Sequence, residues 1–134
     1  MAFHHELRVR FNECDAQGIV FNAHYLTYFD ITLTEMMRAA FGSYVQLVAD
    51  HGVDLVVAEA RATYVTAARF DDVLAITPTI IRLGTTGMTT NFRVSREGEM
   101  LTDGELRHVF VDAATLKKTA IPPMVREALM PFAA

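Results

Sequence analysis

The stretch NECDAQGIVFNAHYLTYFDITLTEMMR, from Asn12 to Arg38, contains the pattern that decides the fold. Its first half is a polar loop around Asp15 and Gly18, and its second half is long and mostly apolar. In that second half, apolar side chains recur at helical spacing: Leu26, Phe29, Leu33, Met36, Met37 and Ala40. The stretch therefore predicts a tight loop that leads into one long helix, which begins near Asn22 or Ala23.

The start of this helix brings together two kinds of group that can act on a carbonyl. Asn22 is predicted to be the N-cap, because an asparagine side chain can accept a bond from the free N–H groups of the first turn. Asp15, shortly before, would lie beside those N–H donors and the positive end of the helix dipole. Such a loop suits chemistry at a carbonyl carbon. The alternative interpretation of Asp15 is a loop acid that caps its own turn.

The segment before the loop alternates between apolar and polar residues from residue 3 to 12, which predicts a half-buried strand. Phe3 and Phe11 mark the two ends of its apolar face. His4 and His5 are adjacent and would point to opposite faces, so they form a poor metal pair.

The segment after the helix reads as a short helical turn and then a series of strands joined by turns. We expect the helical turn at 44–51, strands at 54–66, 73–83, 88–95 and 100–113, a short strand at 117–121, and a terminal helix from Pro122 to Met130. Alanines on one face of the 54–66 strand predict that the long helix packs closely there. Pro78 predicts a bulge or an edge, because proline cannot donate to a strand ladder.

This order of elements predicts an α+β domain over residues 1–134, with one long central helix wrapped by a curved antiparallel sheet of about five strands. Such a sheet leaves open edges and an incompletely covered helix. We therefore expect a second copy of the chain to pair with it.

The composition narrows the function classes. A formal net charge of −4 gives no general attraction to nucleic acid or to an anionic membrane. Cys14 is the only cysteine, so no internal disulfide is possible and a cytoplasmic protein is expected. Neither a signal peptide nor an apolar run long enough for a membrane span is evident.

Two segments resemble a known family. ECDAQGIVFNAHYLTYFD, residues 13–30, and RATYVTAARFDDVLAI, residues 61–76, are similar to the signature segments of hotdog-fold acyl-CoA thioesterases. The likeness is greatest to the 4-hydroxybenzoyl-CoA thioesterase group, which includes the Tol-Pal-associated thioesterases of bacteria. The resemblance implies a single hotdog thioesterase domain that hydrolyses acyl-CoA.

The resemblance also implies roles for individual residues. The catalytic carboxylate falls on Asp15, and the backbone N–H that binds the thioester oxygen falls on Asn22. Substrate-binding positions fall on Gly18, Val20, Phe21, His24, Tyr25 and Asp30. No cofactor is expected, because CoA is part of the substrate, and the resemblance implies a dimer or tetramer with the active site at a subunit interface. Where some relatives hold CoA phosphates with a basic cluster, the turn at 82–87 of this chain has one cation, Arg82.

Several alternatives stay open at this point. Asp15 is either a nucleophile that forms a mixed anhydride or a general base that activates water. Glu35 is a rival carboxylate, although its spacing from Arg38 fits a helical ion pair. A Cys14–His24 nucleophile pair is less favoured, since a lone cysteine usually acts as a small hydrophobe.

Two further residues and three further functions have competing interpretations. Asp30 is either a specificity residue or a solvated helix acid, and His108 is expected to be a core or interface histidine whose hydrogen bonds are satisfied. Rival functions are an acyl-carrier-protein thioesterase, a hotdog dehydratase and a non-catalytic acyl-CoA-binding protein. The dehydratase reading is weaker, because no histidine follows Asp15 in the required pattern.

Overall fold

The computed structural model of the chain describes residues 3–134. Their helices and strands follow in this order: β1 His5–Arg8, α1 His24–Phe41, α2 Tyr44–His51, β2 Val53–Tyr64, β3 Val73–Leu83, β4 Gly87–Arg96, β5 Glu99–Asp112 and α3 Pro123–Leu129. Two 3-10 turns, Phe11–Glu13 and Met130–Phe132, complete the list. The predicted α+β layout is confirmed, and α2 and α3 correspond to the helical turn predicted at 44–51 and to the predicted terminal helix.

The five strands form one antiparallel sheet in the order β1-β3-β4-β5-β2. A hairpin turn with positive φ at Glu97 and Gly98 joins β4 to β5. β2 is an outer strand, and its pairing with β5 is interrupted by a bulge between Val57 and Glu59. The sheet curls around α1, which is the hotdog arrangement implied by the sequence.

Helix α1 is buried along most of its length, and seven of its residues are inaccessible: Tyr25, Tyr28, Phe29, Thr32, Leu33, Met36 and Met37. The Phe29 ring stacks on Phe92 of β4 with centroids 5.0 Å apart. It also lies against Gly104 of β5, where an added methyl group would sit 2.6 Å from the Arg61 carbonyl oxygen. The Phe29 side chain of α1 therefore packs directly on the Gly104 backbone. Ala58 and Ala60 of β2 are exposed, so the prediction that the alanines of this strand pack closely against the long helix was wrong.

The ends of α1 and α2 follow from their local sequences. Gly42 ends α1 with a φ of 90°, a conformation in which a Cβ would be strained. Ser43 then caps α2, because its hydroxyl accepts from the Gln46 N–H at 2.9 Å. The bounds of α2 agree with the helical turn predicted at 44–51.

Two predicted strands differ from the structure. The first is shorter than 3–12, because the chain turns into the 3-10 segment at Phe11, whose side chain is exposed rather than buried. Residues 117–121 form only one bridge, between Lys118 and Val111. Pro78 does mark an edge, since β1 pairs with β3 only as far as Ile76.

Within the part of the chain that is described, no helix is both long and apolar enough to cross a membrane.

Candidate active site

The loop between β1 and α1 is a small hairpin that fixes the position of Asp15. Cys14 and Val20 face each other in an antiparallel bridge, and the Asp15 N–H donates to the Ile19 carbonyl at 2.9 Å. Gly18 closes the turn with a φ of 79°, which is a left-handed conformation that glycine adopts without strain. The backbone of this loop is thus held by its own hydrogen bonds.

The two carboxylate oxygens of Asp15 have different surroundings. One carboxylate oxygen, Oδ1, accepts from the Gln17 N–H at 2.8 Å, so the turn-capping interpretation is correct as a description of this oxygen. The other oxygen accepts no hydrogen bond from residues 3–134. Asp15 can therefore hold its turn and still present a carboxylate oxygen to a ligand.

Asn22 lies just before α1 but does not cap it. The helix begins at His24, Ala23 occupies the cap position, and no side chain accepts a bond from the first turn. The Asn22 carbonyl accepts from the Tyr64 hydroxyl at 3.0 Å, whereas the Asn22 N–H donates to no acceptor in residues 3–134. The predicted N-cap was therefore wrong, but a free N–H is present at this residue.

Asp15 and Asn22 line one cavity of about 310 Å³. Loop and helix residues form one wall, and the end of β2 with the segment after it forms the other. The full lining is Asp15, Gln17, Ile19, Val20, Asn22, Tyr25, Tyr64, Val65, Thr66 and Ala67. The structure thus brings Asp15 and Asn22 to one cavity whose walls are partly polar and partly apolar.

The wall formed by the end of β2 and the residues after it was not predicted from the sequence to be part of the site. Tyr64 is half exposed, and its ring packs edge-on against Tyr25 with centroids 5.3 Å apart. Arg96 donates to the Ala67 carbonyl at 3.3 Å and to Asp72 at 2.7 Å, which holds this wall in place. The similarity of residues 61–76 to the family segment was the one available signal.

The remaining predicted site residues do not all line this cavity. Val20 and Tyr25 do, and burial raises the pKa of Tyr25, so its hydroxyl is neutral at pH 7. Gly18 shapes the turn, and Phe21 is exposed and packs edge-on against His24 with centroids 5.9 Å apart. Gly18, Phe21, His24 and Asp30 do not line this cavity.

The other candidate catalytic groups, Glu35 and Cys14, make ordinary structural contacts. Glu35 forms an ion pair with Arg38 at 3.1 Å, one helical turn away. The Cys14 thiol points to the Arg10 carbonyl at 3.9 Å rather than to His24. Among residues 3–134, no group of three acidic, histidine or cysteine side chains could hold a metal ion.

Two more cavities lie along α1 and β2, and they share lining residues with each other but none with the first. One of about 440 Å³ is lined by Leu26, Thr27, Asp30, Val57, Ala60 and Leu106. The next, of about 250 Å³, is lined by Asp30, Leu33, Thr34, Tyr44, Leu55, Val57 and His108. His108 is buried as expected, but its Nδ1 has no hydrogen-bond partner in the described chain, so the expectation of a satisfied histidine was wrong.

The turn at 82–87 has more positive charge beside it than the sequence suggested. Arg82 and Arg107 line one cavity of about 260 Å³ together with turn residues, among them Thr85 and Thr86. Arg107 comes from β5 and reaches Arg82 across Thr89, which pairs with both residues. Arg107 also lies 3.6 Å from the Glu59 carboxylate, so a phosphate group bound by the two arginines would compete with that carboxylate.

Comparisons with known proteins show the family and the fold. A family model described as the thioesterase-like superfamily matches residues 9–129. The acyl-CoA thioester hydrolase YbgC of Escherichia coli O6:H1 is 32% identical over 124 residues, which cover 92% of each chain. A crystal structure of a hypothetical protein from Aquifex aeolicus has a TM-score of 0.88 at 29% identity, covering 95% of this chain and 98% of that one. A 1,4-dihydroxy-2-naphthoyl-CoA thioesterase from Synechocystis, 18% identical, has a TM-score of 0.84 and covers 96% of each chain, which shows a shared fold.

Proposed function

Since this chain belongs to the thioesterase-like superfamily and is a thioester hydrolase, we propose that it hydrolyses acyl-CoA thioesters to a free acid and CoA. Asp15 is the catalytic carboxylate, and the Asn22 N–H is the donor to the thioester oxygen. The observation that carries this assignment is that both groups line one cavity while the Asn22 N–H has no acceptor in residues 3–134.

The reaction needs only these two groups, because a thiolate leaves without prior protonation. In the general-base route, Asp15 takes a proton from water and the water oxygen attacks the carbonyl carbon. The carbonyl electron pair moves to the oxygen, where the Asn22 N–H stabilises the negative charge. When the carbonyl re-forms, the C–S bond breaks and CoA leaves as the thiolate. In the nucleophilic route, an Asp15 oxygen attacks the carbonyl carbon, the C–S bond breaks and CoA thiolate leaves, and water then hydrolyses the mixed anhydride to the free acid and Asp15.

The substrate channel of this proposal follows α1. The acyl group extends from the Asp15 cavity along Leu26 and Val57 toward Asp30. Arg82 and Arg107 are suited to the CoA phosphates. Gly18, Phe21 and His24 act through the shape of the loop and the helix start around the thioester.

We further propose that the working unit is a homo-oligomer built from a dimer. β2 is an outer strand with no neighbour on its open side in residues 3–134, and Val56 and Val57 are 42% and 53% exposed. An uncovered strand edge with apolar side chains is a template for pairing with another chain. Pairing of two copies there would cover the open groove between α1 and β2.

The test is thiol release from a panel of short, branched, long-chain and aromatic acyl-CoAs by the wild type and by Asp15→Asn. Loss of the negative charge is expected to reduce kcat/KM by about 100-fold or more. Asp71→Asn is the matched control, because Asp71 is an exposed turn acid that pairs with Arg8 at 3.2 Å, away from the cavity.

Three results would contradict parts of the proposal. Turnover that survives in Asp15→Asn would move the chemistry to another residue. Hydrolysis of carrier-protein thioesters but of no CoA ester would favour an acyl-carrier-protein thioesterase. Binding of acyl-CoA with equally slow hydrolysis by wild type and variant would favour a non-catalytic binding protein.

A further inference from the structure

Tyr28 is a buried tyrosine of α1 whose hydroxyl reaches the loop that carries Asp15. It lies in the second turn of α1, and only 1% of the residue is exposed. Its hydroxyl donates to the Glu13 carboxylate oxygen Oε1 at 2.9 Å, and the Arg10 N–H donates to the same oxygen at 2.8 Å. Burial raises the pKa of Tyr28, so the hydroxyl keeps its proton and stays the donor. No other side chain of α1 donates to this loop in residues 3–134.

Glu13 begins the hairpin that the loop forms around Asp15. The Glu13 carbonyl accepts from the Phe21 N–H at 2.9 Å, and Asp15 follows two residues later in the chain. The returning strand of the hairpin donates one backbone N–H to the Ala68 carbonyl at 2.9 Å, which fixes it to the segment after β2. The hydrogen bond from Tyr28 fixes the other strand of the same hairpin to α1.

The Asn22 N–H is oriented by the first turn of α1. It belongs to the same peptide group as the Phe21 carbonyl, which accepts from the His24 N–H at 2.9 Å. Because a peptide group is planar and trans, this bond also sets the direction of the Asn22 N–H. The donor for the thioester oxygen is thus fixed to the helix, whereas Asp15 is fixed to the hairpin. The hydrogen bond from the buried tyrosine is the side-chain link between these two parts.

We propose that Tyr28 and Glu13 are positioning residues whose hydrogen bond holds the hairpin against α1. It keeps the Asp15 carboxylate and the Asn22 N–H directed at one thioester carbonyl. This inference rests on the proposed function. Neither Tyr28 nor Glu13 lines the Asp15 cavity, so both act through Asp15 and not through contact with the substrate. A small displacement of a catalytic group slows the chemical step far more than it weakens binding, so the bond contributes to kcat and little to KM.

Tyr28→Phe tests this hydrogen bond, because it removes the hydroxyl and keeps the ring. With the acyl-CoA that wild type hydrolyses fastest, kcat is expected to fall roughly tenfold or more while KM changes by less than about twofold. Thr32→Val is the matched control. Thr32 is also a buried residue of α1, but its hydroxyl donates to the Tyr28 carbonyl at 2.9 Å, within the helix itself. This variant should keep the kcat and KM of wild type.

Two substitutions test the glutamate side of the bond. Glu13→Gln keeps an oxygen that can accept from the Tyr28 hydroxyl and the Arg10 N–H, so its kcat should stay within about threefold of wild type. Glu13→Leu removes the acceptor and should lower kcat as much as Tyr28→Phe does. The double variant Tyr28→Phe/Glu13→Leu should be no slower than the slower single variant, because both changes remove the same bond.

A merely structural role would give different results. Equal losses of kcat in Tyr28→Phe and Thr32→Val would overturn the inference, and so would a loss of kcat in Tyr28→Phe matched by a rise in KM. A Glu13→Gln variant as slow as Glu13→Leu would also overturn it, since the charge of Glu13 and not its hydrogen bond would then matter. Urea unfolding checks that each variant is folded under the assay conditions. If Glu13→Leu does not fold, the comparison of Tyr28→Phe with Glu13→Gln carries the test.

The failure of this inference can be told apart from the failure of the proposed function. Hydrolysis that Asp15→Asn loses and Tyr28→Phe retains in full would overturn the role of Tyr28 and Glu13 alone. No hydrolysis of any acyl-CoA by wild type, or hydrolysis that survives in Asp15→Asn, would overturn the proposed function and this inference with it.

Discussion

The two oxygens of Asp15 explain why one acid can serve both structure and chemistry. Oδ1 is engaged by the Gln17 N–H and fixes the side-chain rotamer, while the other oxygen has no partner in residues 3–134. A carboxylate held in this way is already oriented before substrate arrives, which is the condition for efficient catalysis by proximity. Asp15→Asn retains an oxygen for the Gln17 bond, so it tests the charge with little disturbance of the loop.

His108 leads to a prediction about stability and pH. Its pKa is lower in the folded protein than the ordinary value of 6.5, because burial disfavours the imidazolium. The unfolded chain therefore binds more protons in the range below 6.5, and the free energy of unfolding should fall as the pH drops through that range, by at most about 1.4 kcal/mol per pH unit for one group. The measurement is urea unfolding of wild type and His108→Leu between about pH 7.5 and 5.5.

The free energy of unfolding of His108→Leu should fall less steeply than that of the wild type over this pH range, and it should be higher at pH 7. The higher stability follows because an unpaired buried nitrogen is replaced by an apolar side chain of similar volume. Identical slopes for the two proteins would mean that other groups determine the acid response. The remaining histidines are common to both proteins and cancel in the comparison.

At the scale of elements, the contact of α1 with β5 depends on the absence of a side chain at Gly104. A methyl group there would overlap the Phe29 ring and the Arg61 carbonyl oxygen. Gly104→Ala should therefore lower the free energy of unfolding by about 1–3 kcal/mol, as overpacking of a core does. Urea unfolding is the measurement, with Gly87→Ala as control, because its nearest contact would be the His108 carbonyl oxygen at 3.6 Å. Equal effects of the two changes would contradict this account of the packing.

The outcome of each sequence prediction depended on whether the feature is determined by neighbouring residues or by segments far apart in the chain. The helical period of α1 and the short helix at 44–51 depend on neighbours in the chain, and both are confirmed, whereas the predicted cap at Asn22 was wrong. The closeness of α1 to Gly104 depends on two segments far apart in sequence, so the alanines of β2 were a misleading guide. An exposed Phe11 was missed because alternation alone does not reveal where a strand turns away from its sheet.

Only part of the candidate site could be predicted from the sequence. Asp15 and Asn22 lie on one continuous segment, and both line the same cavity, while their catalytic roles stay a prediction. The second wall comes from Tyr64 and the residues after it, which only the sheet topology brings opposite the loop. Arg107 likewise joins Arg82 through cross-strand register, which no spacing along the chain encodes.

At the scale of the whole molecule, the proposed dimer leads to a prediction about self-association. Val56 lies on the open strand β2, is 42% exposed and pairs with Val109 of β5. Val56→Lys should weaken self-association, because two copies would place like charges at the same strand edge. Sedimentation velocity over a range of concentrations measures the effect. Ile81→Lys, at an exposed position of β3, is the control.

The expected outcome is a shift of Val56→Lys toward the monomer at concentrations where wild type and Ile81→Lys remain associated. If the variant and the wild type sediment alike, the copies meet through another surface. A monomeric wild type with full activity would overturn the proposal that the working unit is an oligomer.

The strand order β1-β3-β4-β5-β2 also has a consequence for how the chain acquires its structure. β3, β4 and β5 are joined by short turns, whereas β1 and β2 must each find a partner far along the sequence. Pairings that close long loops form late, so we expect the central meander to assemble first and the two outer strands last. During synthesis the apolar α1 leaves the ribosome before any of that meander exists. The loop that carries Asp15 is thus among the first parts of the chain to be made and among the last to become ordered.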